Sequence, residues 1–205
     1  GWQEREHHLF GFELLSPRER FNRFAEGVQV VQQLLTSDQP VTFDGEYFQL
    51  REALLLPRPG RKGGPKILIG GIGVKRTLPL AARYASEWNA IFLKSDQFLQ
   101  INLQLDELAD RFGRQPADIT RSMMSGLVFS TDQAGLDAQI ARRGGGSLAA
   151  SELKDRGLLV GMPTEIIDQI GTLAEAGVQR LMLQWLALDD LDGLEALART
   201  VLPQI

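Results

Sequence analysis

Three glycines followed by two basic residues form the segment of this sequence whose spacing most suggests chemistry. Residues 69–77 read Ile-Gly-Gly-Ile-Gly-Val-Lys-Arg-Thr, between a short apolar run and a predicted helix. Glycines let the backbone approach an anion closely, and the start of a helix directs free N–H groups and a partial positive charge at it. The segment therefore predicts a phosphate-binding loop. The residues expected to contact the phosphate are Gly70, Gly71, Gly73, Lys75, Arg76 and Thr77.

The same residues also have a simpler interpretation. Gly71 and Gly73 have the spacing of a dinucleotide-binding fingerprint, but Arg76 stands where that fingerprint has its third glycine. The P-loop pattern fails as well, because its spacing and its Lys-Ser/Thr ending are missing. A tight strand-to-helix turn with two basic side chains in solvent would give the same sequence, so both interpretations stay open.

Few other side chains could carry catalysis or bind a metal. His7 and His8 are the only histidines, and adjacent positions on a helix point in different directions, so a solvated helix surface is expected, with a proton-shuttle role as the alternative. The carboxylates of Asp189, Asp190 and Asp192 could bind a metal, but they are expected to cap the last helix, where they meet its dipole. No metal site is predicted.

Gln184 and Trp185 fall near the carboxyl end of the last predicted strand. In a (β/α)8 barrel that end of a strand faces the active site. One of the two side chains is therefore expected to touch substrate, while Trp185 could equally belong to the core.

Composition excludes several classes of function. The chain has 205 residues and a net charge of −4, whereas nucleic acids and anionic membranes call for a basic surface. It has no cysteine, which excludes disulfides and thiolate metal sites and fits a cytoplasmic location. No apolar run approaches the roughly 20 residues of a membrane span. A small molecule is the expected partner.

The elements that must position the glycine-rich loop alternate along the chain. A helix capped by Ser16 and a hairpin turning at Asp44-Gly45 come first. Predicted strands then cover residues 67–70, 88–92, 123–129 and 178–186, and predicted helices cover 75–85, 131–143, 163–177 and 191–202, with one more capped by Ser95. Short apolar strands alternating with helices predict an α/β fold with a parallel sheet. The pattern fits a small doubly wound sheet or half of a (β/α)8 barrel.

Several short motifs, in their order along the chain, resemble the bacterial luciferase-like flavin and deazaflavin enzymes. The start at Gly1-Trp2 resembles the end of the Gly-Ala-Gly-Trp motif that closes the fourth strand of that family. Further resemblances lie in residues 44–48 and 57–59 (an insertion segment), 67–71 (the fifth strand), 82–89 (the fifth helix and sixth strand), and 160–163 and 176–178 (the approach to the last strand). The segment from 178 to 195 is most similar to the probable coenzyme F-420-dependent oxidoreductases.

This resemblance implies a fold and a cofactor. The fold is an incomplete (β/α)8 TIM barrel, with residues 1–205 forming a single domain that carries strands 5–8 and an insertion at 40–66. The implied activity is hydride transfer between carbon C5 of coenzyme F-420 and an organic substrate, with an FMN-dependent luciferase-like monooxygenase as the alternative. The implied cofactor-binding residues are Gly1, beside the ring, and Gly70, Gly71, Gly73, Arg76 and Thr77, around the phosphate.

The resemblance also implies that part of the enzyme lies elsewhere. Members of the family carry roughly 100 further residues that supply the first four barrel strands. The chain is therefore expected to be a truncated product that is inactive alone, and to associate with the missing N-terminal half or with a second copy as a homodimer, because unpaired strand edges favour association. The catalytic acid or base is not identified. A function of another class, a non-catalytic phosphate- or nucleotide-binding α/β module, fits the same loop.

Overall fold

The computed structural model describes residues 2–143 and 145–205. The chain divides into two compact units, and the boundary along the sequence lies between Ile67 and Leu68. The first unit contains helices α1 (Glu4–Leu9) and α2 (Pro17–Thr36) and a hairpin of strands β1 (Val41–Asp44) and β2 (Gln49–Ala53). The single domain over residues 1–205 and the insertion at 40–66 stay predictions.

Helix α2 begins with the predicted cap. The Ser16 hydroxyl accepts the N–H of Glu19 at 3.3 Å, and the Glu19 carboxylate accepts the N–H of Ser16 at 3.0 Å. Pro17 occupies the first helical position, where its missing N–H costs nothing. These two reciprocal bonds satisfy donors that the first helical turn would otherwise leave unpaired, which explains why the helix begins at this point.

The hairpin turn is held from outside by one carboxylate. Strands β1 and β2 are antiparallel, and the chain reverses after Asp44 as predicted, although the loop extends to residue 48. The Glu26 carboxylate of α2 accepts the N–H groups of Glu46, Tyr47 and Phe48 at 3.0, 2.8 and 3.2 Å. A Cβ on Gly45 would overlap that carboxylate, so a side chain at this position would displace Glu26 from the turn.

The same contacts predict how the hairpin loop responds to acid. Burial raises the pKa of the Glu26 carboxyl, but the N–H donors of Tyr47, Glu46 and Phe48 outweigh it and hold the pKa below its ordinary value of 4.5. A lowered pKa stabilises the folded state above the ordinary value, and that contribution is lost as the pH falls through the folded pKa. In nuclear magnetic resonance spectra, the Tyr47 and Phe48 amide resonances should therefore move toward unfolded positions only below pH 4.5. In Glu26→Gln this transition should vanish; an unchanged transition in that variant would assign the effect to another carboxyl.

The second unit alternates strands and helices, as predicted. Its strands are β3 (Leu68–Gly70), β4 (Glu87–Ile91), β5 (Thr120–Phe129), β6 (Leu159–Gly161) and β7 (Arg180–Gln184). Its helices are α3 (Thr77–Tyr84), α4 (Ser95–Arg111), α5 (Gln133–Arg143), α6 (Ala150–Asp155), α7 (Pro163–Glu175) and α8 (Leu191–Thr200), with 3-10 turns at Pro116–Asp118 and Leu202–Gln204. The predicted cap Ser95 is instead the first helical residue, because Lys94 occupies the N-cap position.

All strand pairs of this unit are parallel, which confirms the predicted α/β sheet. The strand order is β3-β4-β5-β6, with β7 also paired to β5. The first part of β5 pairs with β7 (Ser122–Gly126), and its last three residues pair with β6. Among the described residues this sheet does not close into a barrel.

The two faces of the sheet differ in what covers them. One face packs against helices: Trp88 and Met123 are fully buried, and the Trp88 ring lies 5.2 Å from that of Phe98 on α4. On the other face, Leu68 and Ile91 remain 46% and 39% exposed. A doubly wound sheet carries helices on both faces, whereas a barrel wall carries them on its outside only. The exposure of Leu68 and Ile91 is the pattern expected of the one-sided arrangement.

The amino edge of the sheet is fixed by buried charge. The guanidinium of Arg121, near the start of β5, donates to Asn102 at 2.9 Å and also contacts Asp106 and two backbone carbonyls. The buried carboxylate of Glu87 accepts Arg180 at 2.7 Å, which joins β4 to β7. The glycine-rich loop follows β3 at the opposite, carboxyl edge of the sheet. No helix in the described ranges is long and apolar enough to span a membrane.

Candidate functional site

The glycine-rich loop leaves the sheet at the carboxyl end of β3 and is fastened to β4. The N–H of Gly71 donates to the carbonyl of Asn89 at 2.9 Å, and the carbonyl of Gly71 accepts the indole N–H of Trp88 at 2.8 Å. Gly71 has φ = +126°, a conformation that side-chain-bearing residues rarely adopt. The loop thus starts from a backbone geometry that β4 holds in place and that requires glycine.

Thr77 fills the space underneath this loop. Its side chain is buried, and a Cβ on Gly71 would lie 3.2 Å from its methyl carbon. A Cβ on Gly73 would lie 3.0 Å from its hydroxyl oxygen. Gly71 and Gly73 are therefore needed for close packing on Thr77, and the structure brings all three predicted residues together. Gly70 ends β3 in the same place.

One part of the predicted anion-binding geometry is wrong. The N–H groups of Arg76, Thr77 and Leu78 all donate to the Gly73 carbonyl, at 3.3, 2.9 and 3.0 Å, and the next residue is Pro79, which has no N–H. The first turn of α3 therefore presents no free donors to a ligand, because the loop curls back to satisfy them.

In the described part of the loop, the backbone N–H groups without a protein acceptor belong to residues 72–75, just before this helical turn. Within the described part of the chain, the backbone N–H groups of residues 72–75 donate to no protein acceptor, and all four residues are exposed. Lys75 has no carboxylate within ion-pair distance in the same part of the chain. Arg76 is the exposed N-cap of α3. Successive unpaired amides beside basic side chains are the arrangement that binds phosphate and similar anions.

The histidines and the aspartates considered from the sequence lie on or beside helices α1 and α8. Gly1, the predicted neighbour of the cofactor ring, lies outside the described residues. His7 and His8 lie on α1, and the His7 ring bonds its own helix through the Gln3 carbonyl at 2.8 Å. Asp190 caps α8 by accepting the N–H of Gly193 at 2.8 Å, which confirms the capping interpretation. The described residues include no group of three or more potential metal-ligating side chains.

The uncovered sheet face carries polar and sulfur-containing side chains. The Asn89 amide donates to the Ser122 hydroxyl at 2.9 Å, and the Gln184 amide approaches the Met124 sulfur at 3.4 Å. All four residues belong to strands that end at the same edge as the glycine-rich loop. Asn89 and Ser122 were not singled out from the sequence: Asn89 lies within a run that indicates strand alone, and Ser122 lies just before the predicted strand 123–129, which in the structure begins at Thr120.

A cleft of about 300 Å³ opens where β5 and β7 end. Trp185 lines it together with Gln139, Arg142 and Arg143 of α5. The indole N–H of Trp185 is buried and has no partner in the part of the chain that the structure describes. Sequence reasoning placed Trp185 at a strand end but missed the two arginines, since basic residues at a helix C-terminus ordinarily complement its dipole.

Fold and site together define a class: an α/β protein with a parallel sheet and a glycine-rich loop at the carboxyl edge of that sheet. Residues 1–143 match the family model described as luciferase-like monooxygenase, and the chain belongs to that family. The resemblance inferred from the spaced motifs is confirmed.

Individual relatives divide between two cofactors. The F420-dependent glucose-6-phosphate dehydrogenase of Kineococcus radiotolerans is 32% identical over 119 residues, covering 57% of this chain and 34% of that protein. The FMNH(2)-dependent dimethylsulfone monooxygenase of Pseudomonas putida is 21% identical over 238 aligned positions, covering all of this chain and 64% of that protein. The chain thus spans between about a third and two-thirds of these curated relatives.

A solved structure shows the same fold. An F420-dependent secondary alcohol dehydrogenase, in complex with an F420-acetone adduct, matches with a TM-score of 0.70 and 21% identity. The match covers 83% of this chain and 58% of that one. At this identity the likeness concerns the fold alone.

Proposed function

We propose that this chain forms part of an oxidoreductase that transfers a hydride between coenzyme F-420 and an organic substrate. The observation that carries the proposal is the exposed loop of residues 72–75, which includes Lys75 and whose amides have no partner among the described residues. The similarity of the chain to F420-dependent glucose-6-phosphate dehydrogenases supports the choice of cofactor. When bound, coenzyme F-420 would supply the redox chemistry at its C5 carbon, which accepts a hydride in the oxidised form and donates one in the reduced form.

The residues of the loop fit a cofactor phosphate. The amides of residues 72–75 would donate to its oxygens, and Lys75 and Arg76 would balance its charge. Gly71 and Thr77 would act beneath them by fixing the loop, because Gly71 is tied to β4 and Thr77 packs under it. No described side chain is proposed as the catalytic acid or base.

The open sheet face would contact the rest of the cofactor or the substrate. The Asn89 and Gln184 amides offer hydrogen bonds there, while Met124 and Met182 offer adaptable apolar surface. These half-buried side chains point away from the helix-covered face, so they are available to a ligand that enters at the carboxyl edge.

The fold proposal is that β3, β4, β5 and β7 are four neighbouring strands of a (β/α)8 barrel. It is supported by their order and by the helices on one face only. Strands β3 and β7 each pair on one side among the described residues, so further strands would cover those edges. The covering strands would come from an N-terminal half of the barrel or from a second copy of the chain.

FMN is the second candidate cofactor, since the Pseudomonas putida relative uses reduced FMN. The loop would hold the phosphate of either molecule in the same way, because the unpaired amides recognise only the anion. The choice between a deazaflavin-dependent dehydrogenase and a flavin-dependent monooxygenase thus depends on contacts to the ring.

Direct titration tests the proposal. The 205-residue chain is titrated with coenzyme F-420, FMN and inorganic phosphate, while cofactor fluorescence and the indole N–H resonance of Trp88 are followed. All three should move that resonance, since the indole bonds the Gly71 carbonyl, and coenzyme F-420 should bind most tightly. Lys75→Gln should weaken binding a few-fold, as expected for one exposed charge, whereas the matched control Lys66→Gln should not.

Other outcomes of this titration would favour other functions. Tighter binding of FMN would favour the monooxygenase, and a response to phosphate without binding of either cofactor would favour a non-catalytic phosphate-binding module. A Trp88 resonance that no anion moves would make the loop an ordinary strand-to-helix turn.

A further inference from the structure

The cleft between the ends of β5 and β7 has a lining unlike that of the glycine-rich loop. Apolar side chains form one part of it, namely Leu127, Val128, Phe129, Leu186 and Ala187. Hydrogen-bond donors form the other part: Gln139, Arg142, Arg143 and Trp185. Its volume of about 300 Å³ lies at the lower end of the range of small-molecule sites.

Its positive charge is not neutralised locally. Neither Arg142 nor Arg143 lies within ion-pair distance of a carboxylate in the described ranges. An acidic residue, Asp190, contacts the lining through Gln139, whose amide lies 3.5 Å from the Asp190 carboxylate. That carboxylate also caps α8. Basic residues at the end of α5 also complement the helix dipole, so charge alone would not define a site.

A buried donor supplies the independent observation. The indole N–H of Trp185 is inaccessible to solvent and has no acceptor among the described residues. A buried N–H without a partner costs about 1–3 kcal/mol, and such groups in folded proteins call for an explanation. An indole N–H can only donate, so the missing partner must be an acceptor.

A glycine in strand β5, Gly126, leaves room for the side chain of Arg143. Gly126 is buried in β5, and a Cβ there would lie 3.1 Å from a terminal nitrogen of Arg143. The guanidinium therefore rests close to the strand backbone, where solvent screens its charge less than at the surface. The cleft combines a partly enclosed cation with a buried indole donor.

We propose that this cleft binds the anionic group of a small organic molecule, a carboxylate or a phosphate ester, whose apolar body lies against Leu127 and Phe129. Arg142 and Arg143 balance the charge, and Trp185 donates its indole N–H to one of the anion's oxygens when the side chains that cover the indole nitrogen move aside. The proposal does not depend on which cofactor the glycine-rich loop holds, since the two sites share no residue.

The test uses the three tryptophans as separate reporters. Nitrogen-15 tryptophan labelling of the 205-residue chain gives indole resonances for Trp2, Trp88 and Trp185, which Trp185→Phe and Trp88→Phe together assign. The chain is titrated with benzoate, phenyl phosphate and the uncharged benzamide. We expect the anions to shift the Trp185 resonance saturably and benzamide to leave it unchanged. The tighter of the two anions identifies the class of ligand.

Matched charge removals complete the test. Arg143→Gln should weaken the anion's affinity about tenfold, the usual effect of losing one charged hydrogen bond. Arg156→Gln, which removes an equal charge from an exposed position outside the cleft, should have no effect. The proposal is overturned if no anion moves the Trp185 resonance, if benzamide moves it as far, or if both variants lose affinity equally. A shift confined to Trp88 would support the phosphate loop while rejecting this cleft.

Discussion

Gly71→Val should lower the affinity for coenzyme F-420, FMN and inorganic phosphate roughly ten- to a hundredfold while the second unit stays folded. Valine cannot adopt φ = +126° without strain of about 1–3 kcal/mol, and 1.4 kcal/mol corresponds to a factor of ten in affinity. Its Cβ would also lie 3.2 Å from the Thr77 methyl. The exposed loop can move to relieve both the backbone strain and the close contact with Thr77. Its amides then lose the arrangement that binds the anion.

Isothermal titration measures the loss, and circular dichroism establishes that the fold survives. Gly60→Val is the control, because Gly60 has open space around it and no left-handed backbone. The control should bind like the unaltered chain. Equal affinities for Gly71→Val and Gly60→Val would mean that the anion does not bind at this loop.

The features that follow local rules were predictable from the sequence. The Ser16 and Asp190 caps depend on side chains that bond the backbone three residues away, and the turn after Asp44 closes with a backbone hydrogen bond from Gly45 to Phe48. The apolar strands and their parallel pairing likewise follow from runs of hydrophobic residues separated by helices. The family resemblance rested on several such segments in the right order.

The features that depend on the path of the backbone were not predictable. Strand β6 (Leu159–Gly161) was not predicted, and it pairs with the last three residues of β5, which extend beyond the part of β5 that pairs with β7. The direction of the loop amides was predicted wrongly, because the curl that brings the Gly73 carbonyl onto the first turn of α3 has no signature in residue type. The arginine-lined cleft joins segments that are about 40 residues apart.

The prediction with the largest effect on stability concerns Trp88, which connects the core to the loop. Its ring is fully buried against Phe98, and its indole N–H holds the Gly71 carbonyl at 2.8 Å. Trp88→Ala should reduce the free energy of unfolding by about 3–5 kcal/mol, the usual cost of truncating a buried aromatic residue. Urea denaturation monitored by circular dichroism measures this loss.

Trp88→Phe separates the two roles of this side chain. Phenylalanine keeps most of the packing but cannot donate to Gly71, so it should cost only about 1 kcal/mol in stability while weakening phosphate binding. Phe98→Leu should do the opposite, since it removes ring packing and leaves the Trp88–Gly71 hydrogen bond in place. Phosphate affinity that falls equally in both variants would show that the loop responds to core packing in general. Affinity that falls in Trp88→Phe alone would mean that one hydrogen bond from the core sets the geometry of the loop.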